Sequence, residues 1–169
     1  MDLIKVIDDY LSEEYFKELQ TLMINGSDFP WYYNDGVVDD NDQHPNNYQF
    51  THTFYDGFSP RSQYYNEIVP IIEVINPTSI MRIKANLLTR TERHIEHGYH
   101  IDILNLKEDN KSKTAILYMN TNNGYTAFED GAVVDSVENR MAIFDSRLMH
   151  TGSTCTDEKV RVVINFNYF

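Results

Sequence analysis

The 169-residue sequence predicts a mostly β fold with supporting helices: a sandwich or barrel in the second half, backed by helices from the first. Three observations lead there. From about residue 80 onward, short β-prone segments alternate with turn-forming runs. Before residue 80, apolar residues recur instead at helical spacing in two stretches. Finally, 12 Tyr and 9 Phe in a chain that is 41% apolar supply the large aromatic surfaces of a β-rich interior or a ligand cleft. At this length one domain, 1–169, is the simplest organisation, with 1–79 as helical support and a lid loop and 80–169 as the β core.

In chain order, "LIKVI" reads as a short strand. In "LSEEYFKELQTLMI" Leu11, Tyr15, Leu19, Leu22 and Met23 recur at helical spacing. Ser12 suits the N-cap, but Tyr15 occupies the third position after it, so there is no strict capping box; Glu13 and Glu14 favour the first turn through the helix dipole. "NGSDFP" ends that helix. Residues 34–47 are rich in Asn, Asp and Gly and read as a mobile loop, flanked by Trp31, Tyr32 and Tyr33 before and Tyr48 and Phe50 after. These aromatics suit a lid over substrate or the core. A second helix runs through "RSQYYNEIVPIIEVI", kinked or split at Pro70.

The alternation in "IMRIKANLL" then sets Arg82, Lys84 and Asn86 on one face and Met81, Ile83, Ala85 and Leu87 on the other. Further strands are expected at residues 99–104, 114–120, 125–128, 141–144 and 160–169, divided by "KEDNKS", "NTNNG", "EDG" and "TDE".

The formal charge of −12 disfavours a protein that tracks a phosphate backbone, because that affinity comes from Lys and Arg. A single cysteine, Cys155, excludes an internal disulfide and fits a reducing compartment. The start "MDLIKVIDDY" lacks the basic and apolar regions of a signal peptide, and no run reaches the roughly 18 apolar residues that span a bilayer. These features point to a cytoplasmic protein without membrane contact, its oligomeric state left open.

The stretch "RHIEHGYHID" crowds three histidines and two acids into ten positions. Helical spacing would pair His94 with His97, or His97 with His100. Gly98 and the β-prone run after it favour strand-type pairs: His94-Ile-Glu96 and His100-Ile-Asp102. "TRTERHIEHG" is polar and reads as a loop, which puts His100 and Asp102 on the strand, where two ligands are held more rigidly. A facial triad of two histidines and one carboxylate needs a further His. "FDSRLMHTG" supplies His150 just after the apolar strand "MAIF". In "VRVVINFNYF", Val160, Val162, Ile164, Phe166 and Tyr168 form one face suited to helices. Arg161, Val163, Asn165 and Asn167 face the other way, and an Arg aimed into a barrel is costly unless it meets an anion such as a dicarboxylate.

The ordered set His100-x-Asp102, His150 and Arg161 resembles the Fe(II)/2-oxoglutarate-dependent oxygenases, nearest to the prolyl-4-hydroxylase type and its small phage and bacterial relatives. Within residues 80–169, "AILYMN" resembles the family's Tyr-Leu-Asn strand, "NGYTAFEDG" its Gly-Gly-Glu-Thr-x-Phe stretch, and "VENRMAIFDS" the strand before the distal His. The first half resembles the family's helical support only loosely. In three places the chain departs from the pattern. Glu138-Asn139-Arg140 replaces the usual Gly, Val163 stands where some members carry Ser, and Lys159 shares a strand face with Arg161, other members using Lys as the anion partner. Arg161 is preferred because Lys159 follows directly on the "TDE" turn.

The resemblance implies a double-stranded β-helix, or jelly-roll, with the N-terminal helices packed on one sheet. It implies Fe(II) held by His100, Asp102 and His150, 2-oxoglutarate as cosubstrate, O2, and ascorbate as a supporting reductant. Arg161, Tyr118 and Thr126 would bind the far carboxylate. Asn86 would either help bind the cosubstrate or serve the wall alone. The implied reaction hydroxylates a peptide, a protein or a small molecule, with peptidyl proline as the family-level expectation and release of succinate and CO2. No side-chain base or nucleophile is required beyond the metal centre. Alternatives are nucleobase demethylation by the same chemistry, disfavoured by the acidic charge, a non-catalytic jelly-roll binding module, which needs no inward Arg, and a zinc hydrolase, which leaves Arg161 without a role. His94 and His97 read as loop residues near a cavity mouth, His44 and His52 as surface or packing residues, and Cys155 as inert.

Overall fold

The computed structural model describes residues 3–38, 45–102 and 111–169. The chain runs β1 (Ile4–Ile7), α1 (Glu13–Gln20), β2 (Tyr32–Asn34), β3 (Gln49–Asp56), β4 (Ser59–Pro60), α2 (Val69–Ile75), β5 (Ile80–Thr89) and β6 (Lys113–Tyr118). It continues with β7 (Tyr125–Phe128), β8 (Val133–Asp135), β9 (Met141–Asp145), β10 (His150–Gly152) and β11 (Val160–Tyr168). All pairings are antiparallel. The larger sheet runs β1-β9-β6-β11-β5-β3-β2, with β4 added to β3, and the smaller runs β10-β7-β8. This is the jelly-roll arrangement expected of a mostly β chain with supporting helices.

The period-2 pattern of β11 decides how the layers stack. Val162, Ile164 and Phe166 are buried against Phe16, Leu19, Met23, Ile68 and Ile71, so that face of the larger sheet packs on the helices. Val163 joins Ile116, Tyr118, Phe128, Val134, Ala142 and Phe144 in a second cluster, which lies between the two sheets. Helix α1 begins at Ser12 without a side-chain cap, Glu13 and Glu14 fill its first turn, and the chain continues as a π-helical turn over Thr21–Asn25. Pro70 divides the second helical stretch: a 3-10 turn, Tyr65–Ile68, precedes α2, whose first turn contains Pro70. Asn76, at φ 51°, closes α2 in the left-handed conformation that Asn tolerates.

One sequence expectation needs amendment. The strand at 99–104 reduces to one antiparallel bridge, His100 to His150, while residues 103 and 104 lie outside the described residues. Gly98, at φ +91°, breaks the extended run before it, so His100 and Asp102 do not stand on a strand. Of the aromatic trio read as suited to a lid or to the core, Trp31 packs against the helix-side core and donates its indole N–H to the Met23 carbonyl at 3.1 Å, whereas Tyr32 and Tyr33 are exposed on edge strand β2. Within the 34–47 loop, residues 39–44, His44 among them, are outside the described residues. At the departure Glu138-Asn139-Arg140, Asn139 adopts φ 59°, a conformation glycine favours, and its amide clamps both backbone groups of Leu11 at 2.8–2.9 Å. No helix among the described residues is long and apolar enough to cross a membrane.

Candidate metal centre and anion pocket

His100, Asp102 and His150 come together with their ligand atoms within 4.8 Å of one another. The bridge places the two histidines: His100 N–H donates to the His150 carbonyl at 2.9 Å and His150 N–H to the His100 carbonyl at 3.0 Å, leaving the rings 4.8 Å apart between centroids. Nδ1 of His100 lies 3.3 Å from the Gly98 carbonyl and Nδ1 of His150 3.0 Å from the Leu148 carbonyl. A carbonyl only accepts, so each Nδ1 carries the proton and each Nε2 keeps its lone pair for the shared side. Those Nε2 atoms sit 3.6 and 3.9 Å from Oδ1 of Asp102. That is too long for a hydrogen bond and near the roughly 3 Å between two ligands set at right angles about 2.1 Å from one ion. Imidazole, imidazole and carboxylate are a donor set for a divalent first-row metal.

Asp102 is oriented from the larger sheet. Its Oδ2 accepts from Nδ2 of Asn167 on β11 at 3.0 Å, and Arg82 of β5 approaches Oδ1 to 3.6 Å while hydrogen-bonding the Asp102 carbonyl at 3.3 Å. Asn167 in turn donates to Thr114 at 3.1 Å and accepts from Arg82 at 3.3 Å. Burial alone would raise the Asp102 carboxyl; the adjacent His100 and His150 rings, the Arg82 guanidinium and the Asn167 amide hold it well below the usual carboxylate range. Burial pushes His150 down, despite the pull of Asp102, which keeps its imidazole neutral and able to ligate.

On the other side of the same cavity, Arg161 is buried at 4% exposure. Its Nε donates to Ser136 Oγ at 2.8 Å and its Nη2 to Thr126 Oγ1 at 3.0 Å, and the guanidinium carbon lies 5.6 Å from the Tyr118 ring centroid. Among the described residues no carboxylate pairs with it, and desolvation lowers its pKa. The space it occupies exists because two positions lack side chains. A Cβ on Gly124 would lie 2.7 Å from Arg161 Cδ, and one on Gly152 would lie 3.2 Å from its Nη1. Tyr118 is fully buried and donates to Thr126 Oγ1 at 2.8 Å; it does not line the cavity, so in this structure it positions Thr126 rather than facing a ligand itself. Thr126 Oγ1 thus accepts two donors, which leaves its own proton available to an acceptor in the cavity.

The cavity, of about 80 Å³, joins both halves and is lined among others by Lys84, Asn86, His100, Asp102, Thr126, His150, Arg161 and Asn165. The Oδ1 atoms of Asn86 and Asn165 are buried without a hydrogen-bond partner. Burial and repulsion from Arg82 lower the pKa of Lys84, against the pull of Asp102. Lys159 is exposed at the strand entrance, as its place after the turn suggests. Elsewhere, His94 is exposed and contacts Asn123 at 3.1 Å, and His97 is buried; neither lines the cavity. His52 packs between the Pro30 carbonyl, 2.8 Å from Nδ1, and Ser62 Oγ, 2.7 Å from Nε2. Cys155 is buried against the Glu158 carbonyl. Sequence reading missed Ser136, Gly124, Gly152 and the Asn167 contact. Only the alternation that turns Asn167 inward was visible.

No family model matches the sequence, and no curated protein does. Solved structures do match in fold. A prolyl hydroxylase from Trichoplax adhaerens, in complex with a peptide fragment of the hypoxia inducible factor oxygen degradation domain, aligns over 100% of this chain and 84% of its own, at 14% identity and a TM-score of 0.68. An oxidoreductase of the 2OG-Fe(II) oxygenase family from Burkholderia pseudomallei aligns over 98% and 85%, at 11% identity and a TM-score of 0.68. A viral collagen prolyl hydroxylase from Paramecium bursaria Chlorella virus-1, as its 2OG complex, aligns over 98% and 95%, at 13% identity and a TM-score of 0.60. The chain therefore has the fold of 2-oxoglutarate/Fe(II) oxygenases of the prolyl hydroxylase type.

Proposed function

We propose that the protein is an Fe(II)- and 2-oxoglutarate-dependent dioxygenase that hydroxylates a peptide, protein or small-molecule substrate. One observation carries the reading: two Nε2 lone pairs and a pinned carboxylate converge on one point of a cavity whose opposite wall holds a buried guanidinium with no carboxylate partner among the described residues. His100, Asp102 and His150 would hold Fe(II), which when bound supplies O2 activation at the expense of 2-oxoglutarate, giving hydroxylated substrate, succinate and CO2.

The chain's own residues orient and exclude. Arg161 and Thr126 offer guanidinium N–H and hydroxyl donors to the far carboxylate of 2-oxoglutarate, and Tyr118 and Ser136 fix those donors from behind. Asn86 lies on the wall between anion pocket and metal residues, where its amide meets the cosubstrate. Arg82 and Asn167 hold Asp102 ionised and correctly turned. Ile116, Leu88 and Val163 add apolar side chains to that wall, which limit the room for water beside the cosubstrate. The peptide held by one structural neighbour supports a peptide or protein substrate, with prolyl residues as the first candidates.

Purified protein given Fe(II), ascorbate and 2-oxoglutarate is expected to form succinate, slowly without substrate and faster with it. A 2-oxoglutarate analogue is expected to raise the melting temperature only with Mn(II) or Fe(II) present. Full turnover by His100→Ala would refute the ligand assignment.

A further inference from the structure

The central cavity carries a charge that neither metal nor cosubstrate would neutralise. The chain has 26 acids against 14 Lys and Arg, yet its central cavity reverses that balance. Among the described lining residues Asp102 is the only carboxylate, while Lys84 and Arg161 are both cations. Lys84 makes no hydrogen bond or ion pair with any described residue, although its stem is half-buried and its ammonium has three donors to place. Aligned β-strand pairing orders the wall. Arg161 stands opposite Leu88, Val163 opposite Asn86, Asn165 opposite Lys84, and Asn167 opposite Arg82.

Lys84 therefore sits two pairs away from Arg161, about 13 Å along the strand, and one pair from the Asn167–Arg82 group that holds Asp102. A five-carbon dicarboxylate anchored on Arg161 and reaching the metal residues has used both its charges. Its far carboxylate answers Arg161, and its near carboxylate together with Asp102 answers a divalent ion. Lys84 is left over, in a part-buried place where an unmatched ammonium is unfavourable.

Resting on the oxygenase reading above, we propose that Lys84 binds a carboxylate of the substrate, so that the molecule hydroxylated is an acid rather than a neutral side chain in a neutral segment. Two sources present that group: a free amino acid or similar small acid, and a peptide with an Asp or Glu beside the oxidised residue. Asn165, paired with Lys84 across the ladder, and Asn86 supply amide groups on the same wall to orient the rest of the molecule.

The test uses the full chain loaded with Mn(II) and 2-oxoglutarate, with binding read by calorimetry and melting temperature. The probes are the free amino acids with their primary amides, and capped short peptides containing Asp or Glu with their Asn or Gln counterparts. An acid is expected to bind about tenfold or more tightly than its amide, and Lys84→Met to abolish that preference while Lys84→Arg retains it. The dissociation constant for 2-oxoglutarate is expected to stay within about threefold in Lys84→Met. Preference among free amino acids assigns a small-molecule substrate; preference among peptides alone assigns an acidic segment. Equal binding of acids and amides, or an acid preference that survives Lys84→Met, overturns the proposal. So does a tenfold loss of 2-oxoglutarate affinity in that variant, which would make Lys84 a cosubstrate ligand. Failure of the oxygenase reading itself shows earlier and separately: the wild-type protein would then show no melting shift with Mn(II) and 2-oxoglutarate alone, and this inference falls with it.

Discussion

Replacing Arg161 by Met separates binding from folding, because the first should fall steeply while the second barely changes or improves. In the wild-type protein the guanidinium is 4% exposed and satisfied by two neutral hydroxyls, Ser136 Oγ at 2.8 Å and Thr126 Oγ1 at 3.0 Å, with no carboxylate among the described residues. Met fills similar volume between Gly124 and Gly152. The variant loses two hydrogen bonds to a charged donor, about 1.5–3 kcal/mol each. It regains the several kcal/mol of desolvation that an unpaired buried ion costs. The ligand-free protein should therefore change by no more than about 1 kcal/mol in urea unfolding, or gain stability. For the cosubstrate, the same change removes one partner of a buried charge pair, typically about 2–5 kcal/mol, which is roughly 30-fold to several thousand-fold in affinity. Calorimetric titration of 2-oxoglutarate with Mn(II) present measures that loss. An Arg161→Met protein that binds 2-oxoglutarate normally but unfolds 2 kcal/mol or more too easily would refute the argument, since it would make the guanidinium a structural strut.

Three other outcomes follow from the same contacts. Asn167→Ala removes the donor to Asp102 Oδ2 and should weaken Mn(II) binding roughly 10- to 100-fold, measured by electron paramagnetic resonance, with little change in 2-oxoglutarate affinity once metal is saturating. Gly124→Ala puts a methyl 2.7 Å from Arg161 Cδ, 2.8 Å from Asn122 Oδ1 and 3.1 Å from the Thr154 carbonyl; it should cost about 1–3 kcal/mol of stability, because the backbone neighbour gives little, and also weaken 2-oxoglutarate by displacing the Arg161 stem. His52 is held neutral by burial, which lowers its pKa from the ordinary 6.5, partly opposed by the Pro30 carbonyl. Above 6.5 both folded and unfolded chains are neutral there; as pH falls through 6.5 the unfolded chain takes up the proton first, so stability drops on the acid side. A His52 imidazole resonance with its midpoint at or above 6.5 would contradict this.

Much of this was legible in the residues themselves, and the part that was not has a physical reason. The alternation in 160–169 fixed both faces of β11, because a period of two survives in a strand covered by helices on one side and a cavity on the other. His100, Asp102 and His150 could be singled out because the residue types and their order are those a metal would need. The expected strand under His100 and Asp102 failed, since β-propensity describes a pleated, half-buried surface and this segment holds only one bridge. Gly98 already hinted at the break. Ser136, Gly124 and Gly152 were invisible for a different reason. Their importance lies in how closely a side chain from β11 approaches turns and short strands distant in sequence, which no local pattern records. Tyr118 was identified as a residue of the anion pocket, but one hydrogen bond to Thr126 sets it a layer behind the position expected.

The segment that carries His100 is tied to the body by two isolated bridges, Glu96 to Ser153 and His100 to His150, by the bonds of Ile95 with Thr154 and of Glu96 with the Tyr125 hydroxyl, and by the Asn167 grip on Asp102. An ion clasped there would join that segment, β10 and the larger sheet at once, and a protease offered the protein should cut near residues 93–98 far more slowly once Mn(II) is added. That same ion would stiffen one wall of the chamber in which a dicarboxylate settles, so the two ligands should reinforce each other's hold on the protein.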